Sequence, residues 1–243
     1  MKQFRLPVTL IVAASLIYLG SCDSGKKEKT TEVTTDSIAP APAPAPVATT
    51  AGPSSLMIIR HKVADYATWK NGYESHDSSR LANGLHNYII ARGIDDPNTV
   101  LVALKMDDAA KAKAFSTSQD LKDRMKKLGV SGPPVTDFLE TIQNDTTAIQ
   151  ETTRLMMRHK VKDWDAWKQT FESNRAIRTD AGLTDRAIGH TVGDNHQVTV
   201  VFSVTDMAKA KAFLNSQELK DKMKASGVEG PPDAFFYKVS QKY

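Results

Sequence analysis

The residues Arg60–Trp69 read RHKVADYATW, and the residues Arg158–Trp167 read RHKVKDWDAW. These two stretches decide the fold, because each begins one copy of a longer internal repeat. When the chain is shifted by 98 residues, residues 60–140 align with residues 158–238 without a gap, and 36 of the 81 pairs are identical. Identity at this level without insertions indicates that one fold is present twice in the chain.

Each copy has the pattern of a strand, a helix, two strands, a helix and a last strand. Leu56–Val63 and Leu155–Val161 are apolar and rich in β-formers, which predicts the first strand of each copy. The later strands are predicted at Leu85–Arg92, Thr99–Met106 and Thr136–Ile142, and in the second copy at Leu183–Thr191, Gln197–Val204 and Ala234–Val239. Six residues stand where helix N-caps are expected: Asp65, Asp108, Ser118, Asp163, Asp206 and Ser216.

A βαββαβ unit forms a four-stranded antiparallel sheet with helices on one face only. The third strand of the first copy is apolar on both faces, because Val100 and Val102 alternate with Leu101. Two tandem copies can bury their bare sheet faces against each other. We therefore predict an α+β protein whose two repeats close into one intramolecular barrel with the helices outside, and we expect a monomer.

The N-terminus has the pattern of an export signal. Lys2 and Arg5 precede the apolar run 6–20, which is shorter than the ~20 residues that a membrane-spanning helix needs. The run ends in Leu19-Gly20-Ser21-Cys22, which resembles the lipobox of bacterial lipoproteins. That resemblance implies cleavage before Cys22, its lipidation, and a partner in the lipid bilayer. The alternative is an ordinary secretory signal with a chance cysteine.

The chain divides by composition into five parts. Residues 1–21 are the predicted signal peptide, 22–55 a Pro/Ala/Thr-rich tether, 56–142 the first repeat, 143–153 a linker and 154–243 the second repeat. The alternating Ala-Pro run within the tether favours an extended polyproline II spacer. We expect the protein to be anchored to the inner or outer membrane of a cell envelope, with its folded part periplasmic or exposed at the surface.

Charge and cysteine content exclude several kinds of site. The full chain has 32 basic and 28 acidic side chains, and removal of residues 1–21 leaves 30 against 28, a balance that does not favour nucleic acid as a partner. A single cysteine excludes a disulfide framework and a cysteine zinc cluster within one chain. The sequence has no Gly-rich phosphate loop and no His-x-x-x-His pair, and we expect neither a metal nor a cofactor.

The repeat resembles the dimeric α/β-barrel superfamily of ferredoxin-like units, which includes antibiotic-biosynthesis-monooxygenase-like proteins. The resemblance rests on His61–Lys70, on Ser118–Met125 and on Gly129–Pro134, all of which recur in the second copy, and it covers about residues 56–240. Many members form the barrel by homodimerisation. Members include cofactor-free monooxygenases, haem-degrading enzymes, isomerases and proteins without known activity, so the resemblance implies a fold and leaves the activity open.

Two matching histidines are the first candidates for a site. Alternation places His61 on the strand face of Met57 and Ile59, and it places His159 on the face of Met157. Each histidine could be a general base or a ligand-orienting donor in a pocket between the sheet and the helix. The alternative is a structural histidine that is hydrogen-bonded to a tryptophan or to a backbone carbonyl.

Further candidates lie on the first helix of each copy. Trp69, Tyr73 and Trp167 either wall an aromatic pocket or belong to the packed core. Arg80 and Arg178 follow eleven residues after the tryptophans, on the same stripe of a helix predicted to be continuous. The arginines either bind an anionic ligand or pair with nearby acids and helix carbonyls.

His86 and His190 are not repeated in the other copy, so they would mark a pocket kept by one copy alone. Alternation places His86 with Tyr88 and Arg92, and His190 with Arg186, on strand faces that would line the barrel interior.

Three hypotheses remain for the function. The barrel binds a small apolar or aromatic molecule without catalysis. It is a cofactor-independent monooxygenase or isomerase with His61 or His159 as the base. It is a structural envelope protein with a solid barrel and no ligand.

Overall fold

A computed structural model of the protein describes residues 50–51 and 54–243. Its strands are divided between the two copies of the repeat. The predicted signal peptide, Cys22 and nearly all of the predicted tether lie outside these residues. The first copy contains β2 (Ser54–Val63), β3 (Leu85–Gly93), β4 (Thr99–Met106) and β5 (Val130–Asp145), preceded by the short β1 (Thr50–Ala51). The second copy contains β6 (Thr153–Val161), β7 (Leu183–Thr191), β8 (Asp194–Val204) and β9 (Val228–Lys242).

Two pairs of helices lie in each copy. They are α1 (Tyr66–Glu74), α2 (Asp77–Ala82), α3 (Ala109–Thr117) and α4 (Gln119–Lys127), and then α5 (Trp164–Ser173), α6 (Arg175–Asp180), α7 (Met207–Leu214) and α8 (Gln217–Ala225). All six predicted N-caps are confirmed, because each side chain accepts a hydrogen bond from the backbone N–H three residues later. No helix of the described part is long and apolar enough to cross a bilayer.

The prediction of one continuous helix from Tyr66 to Arg80 is wrong. The chain leaves the helical conformation at His76, with φ −102° and ψ 17°, and α2 starts afresh at Asp77. In a continuous helix the carbonyl of Tyr73 would accept from the amide of Asp77, four residues later. Here it accepts hydrogen bonds of 3.2 Å from the His76 N–H and of 2.7 Å from the Arg80 guanidinium instead. In the second copy Arg178 donates to the carbonyl of Phe171 and the same break occurs.

The eight long strands close into a barrel, as predicted. Their order is β5-β2-β4-β3-β9-β6-β8-β7, and β7 pairs back onto β5. The two seams between the copies are both antiparallel. In one seam residues 89–93 of β3 pair with residues 237–242 of β9, and in the other residues 139–144 of β5 pair with residues 187–191 of β7. Each copy therefore satisfies the edge strands of the other.

Three hydrophobic cores result from this closure. In each copy the outward sheet face packs against the helices, around Met57 and Trp69 in the first copy and around Leu155 and Trp167 in the second. The third core fills the middle of the barrel and includes Ile58, Leu101, Met156 and Tyr237. All described residues belong to a single compact unit.

The two ends of the barrel differ. At one end the interior faces of β2 and β6 carry Arg60 and Arg158, which form ion pairs with Asp233 and Asp137. At the other end the chain passes from β5 to β6. This connection is shorter than the predicted linker 143–153, because β5 continues to Asp145 and only residues 146–152 lie between the two strands.

Candidate functional site

Strand alternation places the two matching histidines beneath the helices. His61 on β2 and His159 on β6 each point to the same side as the apolar residues two positions before them, and each is only 7% exposed. Their rings lie 5.5 Å from the ring of Trp69 and 5.3 Å from the ring of Trp167 in tilted arrangements. The structure thus brings each predicted histidine and tryptophan together.

The nitrogens of these two histidines are buried without a hydrogen-bond partner in the described part of the chain. The planes of the histidine and tryptophan rings are inclined at 58° in the first copy and 56° in the second. Burial lowers the pKa of His61 and that of His159 to about 4. Both imidazoles are therefore neutral at physiological pH, with one N–H donor and one nitrogen acceptor each.

The aromatic side chains of the first helices form a stack beside each histidine. Trp69 is 2% exposed, and its ring stacks on that of Tyr73 at 5.2 Å. The Tyr73 hydroxyl donates a hydrogen bond of 2.5 Å to Asn87, and burial raises its pKa. In the second copy Trp167 stacks on Phe171 at 5.1 Å. The tryptophans pack in the core and also line a cavity, so both interpretations of these residues apply.

The two predicted arginines lie at the back of this stack. The Arg80 guanidinium lies 3.8 Å from the ring centroid of Tyr73, and one of its nitrogens lies 3.0 Å from Asp77. Arg178 lies 3.6 Å from the ring centroid of Phe171 and donates two hydrogen bonds, of 2.9 and 2.7 Å, to Asp185. Both arginines thus pair with an acid and a helix carbonyl, which are the partners expected of structural residues.

A cavity lies beside each histidine, between the sheet and the helices. The second-copy cavity has a volume of about 80 Å³, and its lining includes His159, Trp167 and Met223. The first-copy cavity has about 50 Å³ and is lined in part by His61, Trp69 and Leu128.

The two cavities differ in size because two matching positions hold different residues in the two copies. Leu128 fills the first cavity because Gly72 leaves room for it, and a Cβ on Gly72 would lie only 2.0 Å from a Leu128 methyl carbon. The second copy has Thr170 and Ser226 at these positions, and both line its cavity.

The predictions for His86 and His190 are wrong. The His86 side chain is 48% exposed and its Nε2 lies 2.9 Å from Asp107, so it lies on the surface. His190 packs edge-on against Trp164 at 4.9 Å, on the helix side of the sheet. For His190 the physical reason is a β-bulge, which shifts the register between Asp185 and Ala187 and so changes the face of the residues that follow. His86 precedes the matching bulge of β3 and is exposed because it is the second residue of that strand, where it pairs with Lys105.

Two residues that alternation placed on these faces do line the barrel interior. Tyr88 and Arg186 occupy the same bulge position in the two copies, and both line a cavity of about 370 Å³ at the linker end of the barrel. Arg154, Asp145 and Glu151 line it too and were missed by the sequence analysis. The available signal was that Arg154 stands where the first copy has Leu56.

Comparison with known proteins identifies the architecture. No family model and no curated protein matches the sequence. Among solved structures, a candidate monooxygenase from Fusobacterium nucleatum matches with a TM-score of 0.50 and 13% identity, over 79% of this chain and 94% of that chain. The chain has the dimeric α/β-barrel fold.

Two further solved structures are similar at lower scores. A candidate monooxygenase from Lactobacillus acidophilus has a TM-score of 0.45 and 10% identity, over 77% of this chain and 95% of that chain. A haem-binding protein from Thermus thermophilus has a TM-score of 0.44 and 13% identity, over 80% of this chain and 94% of that chain. Proteins with one fold can have many functions, so these similarities assign no activity to this chain.

Metal and haem chemistry can be tested against the described residues. Across residues 50–51 and 54–243, no three His, Cys, Asp or Glu side chains converge closely enough to hold a metal ion. A haem does not fit beside His159, because about 80 Å³ is far below the ~300 Å³ at which cofactor pockets generally begin.

Proposed function

We propose that the second-copy cavity binds a small, mainly apolar molecule that carries one polar group. The observation that carries this proposal is His159, whose two ring nitrogens are buried beside the cavity and have no hydrogen-bond partner among the described residues. An unsatisfied buried polar group destabilises the folded protein, and a ligand that bonds to it offsets this cost.

The lining limits the size and chemistry of the ligand. A dry apolar cavity of ~150 Å³ holds benzene, as known from an engineered lysozyme, so a cavity of about 80 Å³ suits a single ring only if a wall moves. Met223 on α8 forms part of the wall, and methionine adapts its shape readily. The expected ligand is therefore one aromatic ring or a short chain with a hydroxyl or carbonyl group.

The test compares p-cresol with toluene, which differ by one hydroxyl group. Binding to the full chain is measured by ligand-observed NMR. We expect p-cresol to bind more tightly than toluene, and His159→Phe to remove this preference while His61→Phe leaves it unchanged. Native mass spectrometry of the purified protein would also detect a retained molecule. Absence of binding by both compounds would contradict the proposal and favour a structural protein without a ligand.

A cofactor-independent monooxygenase is the second candidate, and the same free nitrogens of His159 favour it. One of them can accept a proton from a substrate hydroxyl in a site that excludes water. A pKa of about 4 makes this imidazole a weak base, which is why binding is the first choice. The test is oxygen uptake with a hydroquinone. Uptake above the rate of autoxidation that is lost in His159→Phe would favour the enzyme.

We further propose that the protein is a monomeric lipoprotein anchored through Cys22 in a bacterial cell envelope. The lipobox-like Leu19–Cys22 and the Pro/Ala-rich tether support the anchor. The monomer is supported by the two seams, which pair all edges of the barrel within one chain. Cys22→Ser should release the protein from membranes, and light scattering should give the mass of one chain. Unchanged membrane association would contradict the anchor.

A further inference from the structure

A further cavity lies at the linker end of the barrel, and its lining includes neither His61 nor His159. This cavity of about 370 Å³ has a floor of apolar side chains that includes Leu56, Leu101 and Met156. Residues of the linker 146–152 form its opposite wall. Its volume falls within the range of ~300–1,000 Å³ typical of small-molecule sites.

Arg154 is the residue that distinguishes this cavity from a packing defect. Its guanidinium donates hydrogen bonds of 2.7 and 2.9 Å to the carbonyls of Glu151 and Thr153 from one of its nitrogens. Among the described residues no carboxylate forms an ion pair with it. A partly buried cation without an ion-paired carboxylate is costly, and burial lowers the pKa of Arg154 against the opposing charge of Glu151.

The other charges around the cavity compensate this cation only in part, since the charge of the Glu151 carboxylate acts on Arg154 without forming an ion pair. Arg186 is paired with Asp145 at 2.9 Å and also donates to the carbonyl of Thr147, which holds the linker over the barrel. Glu151 accepts a hydrogen bond of 2.7 Å from the N–H of Thr153. Lys242 adds a third basic residue to the lining, against two acids.

We propose that the linker end of the barrel is a second ligand site, which binds a small carboxylate with an apolar tail. The carboxylate pairs with Arg154, whose guanidinium can present two parallel donors to it. The tail lies on the apolar floor formed by the barrel core. Tyr88 and Arg186, which stand at the β-bulges of β3 and β7, line the site from the two copies.

The site is independent of the cavity beside His159. The two cavities share no lining residue, and they lie on opposite faces of the sheet. The first copy has Leu56 where the second has Arg154, so a leucine at position 154 repeats a residue that this barrel already accommodates.

The experiment measures binding of octanoate and of 1-octanol to the full chain by calorimetry. We expect octanoate to bind with a stoichiometry of one, and Arg154→Leu to weaken it about tenfold or more while leaving 1-octanol unchanged. Lys113→Gln is the control, because it removes one exposed positive charge from α3 and should change neither affinity.

Several outcomes would overturn the proposal. They are equal affinities for octanoate and 1-octanol, an octanoate affinity that survives Arg154→Leu, and no binding of octanoate at millimolar concentration. The result is separable from that of the first site, because His159→Phe should leave octanoate binding intact. Conversely, Arg154→Leu should leave p-cresol binding intact, so either site can fail alone.

Discussion

Arg60 and Asp233 form a two-point ion pair, with nitrogen–oxygen distances of 2.7 and 3.2 Å, although they lie 173 residues apart in the sequence. Arg158 extends the pair into a network, because it contacts Asp137 and lies 3.7 Å from Asp233. The network ties β2 and β5 of the first copy to β6 and β9 of the second. It therefore holds the two halves in one orientation at the end of the barrel opposite the linker.

The first prediction concerns Asp137 in this network. Burial raises its pKa above the ordinary 3.8, against the opposing effect of Arg158. The folded state thus binds the proton more tightly than the unfolded state, so Asp137 loses stabilising effect as the pH rises from 3.8 through the raised pKa. Urea unfolding of wild type and Asp137→Asn from pH 3 to 7 should reveal this. The free energy of unfolding of the wild type should fall relative to the variant in that window, and a constant difference would contradict it.

The second prediction concerns acid stability and the two buried histidines. Their pKa values are lowered from 6.5 to about 4, so the unfolded state binds the proton more tightly. The contribution of each neutral histidine to the free energy of unfolding is therefore complete above pH 6.5. It falls by about 3 kcal/mol for each histidine as the pH drops toward 4. Urea unfolding of the double variant His61→Leu, His159→Leu should show a flatter pH dependence over this range. Equal slopes for variant and wild type would mean that the histidines are protonated in the folded state.

The third prediction exchanges the residues that set the size of the two cavities. Leu128→Ser should enlarge the first cavity and reduce the free energy of unfolding by about 2–3 kcal/mol, because it removes buried methyl groups. It should also create p-cresol binding in the first copy.

The reverse exchange supplies the control. Ser226→Leu should destabilise the protein when made alone, since the first copy accommodates leucine only opposite Gly72. Thr170→Gly should restore part of the stability, and the double variant should lose p-cresol binding. Additive effects of the two substitutions would indicate that they do not share a cavity.

The fourth prediction tests the seam between β5 and β7. A Cβ added to Gly189 would lie 2.3 Å from the carbonyl oxygen of Glu140, so Gly189→Ala must push the strands apart. We expect a loss of about 1–3 kcal/mol in the free energy of unfolding. Hydrogen exchange should accelerate for amides of this seam, whereas the β3–β9 seam serves as the internal control. Equal acceleration at both seams would indicate global destabilisation.

Features encoded locally could be predicted from the sequence. The repeat, the strands and the six helix caps follow from alternation and from residues such as Asp65 and Ser118, which act within a few positions of themselves. Closure of the barrel follows from the apolar residues on both faces of β4, because a bare apolar sheet face must be covered.

Features that depend on distant side chains could not be predicted. The break between α1 and α2 depends on the Arg80 guanidinium taking the carbonyl of Tyr73, which helical periodicity does not reveal. The bulge at Arg186 reverses the alternation on which the placement of His190 rested. The size of the cavity beside each histidine could not be predicted either, because it depends on tertiary contacts such as that of Leu128 with Gly72.

Asp137 and Asp233 each occur only once, since the matching positions hold Phe235 and Val135. In a homodimer every substitution is made twice, at both symmetry-related places, and a carboxylate added at one end of the barrel would meet its own image. Covalent fusion removes that restriction. The two halves of this chain can acquire different residues at equivalent positions, so natural variation can change one half while the other retains its original role.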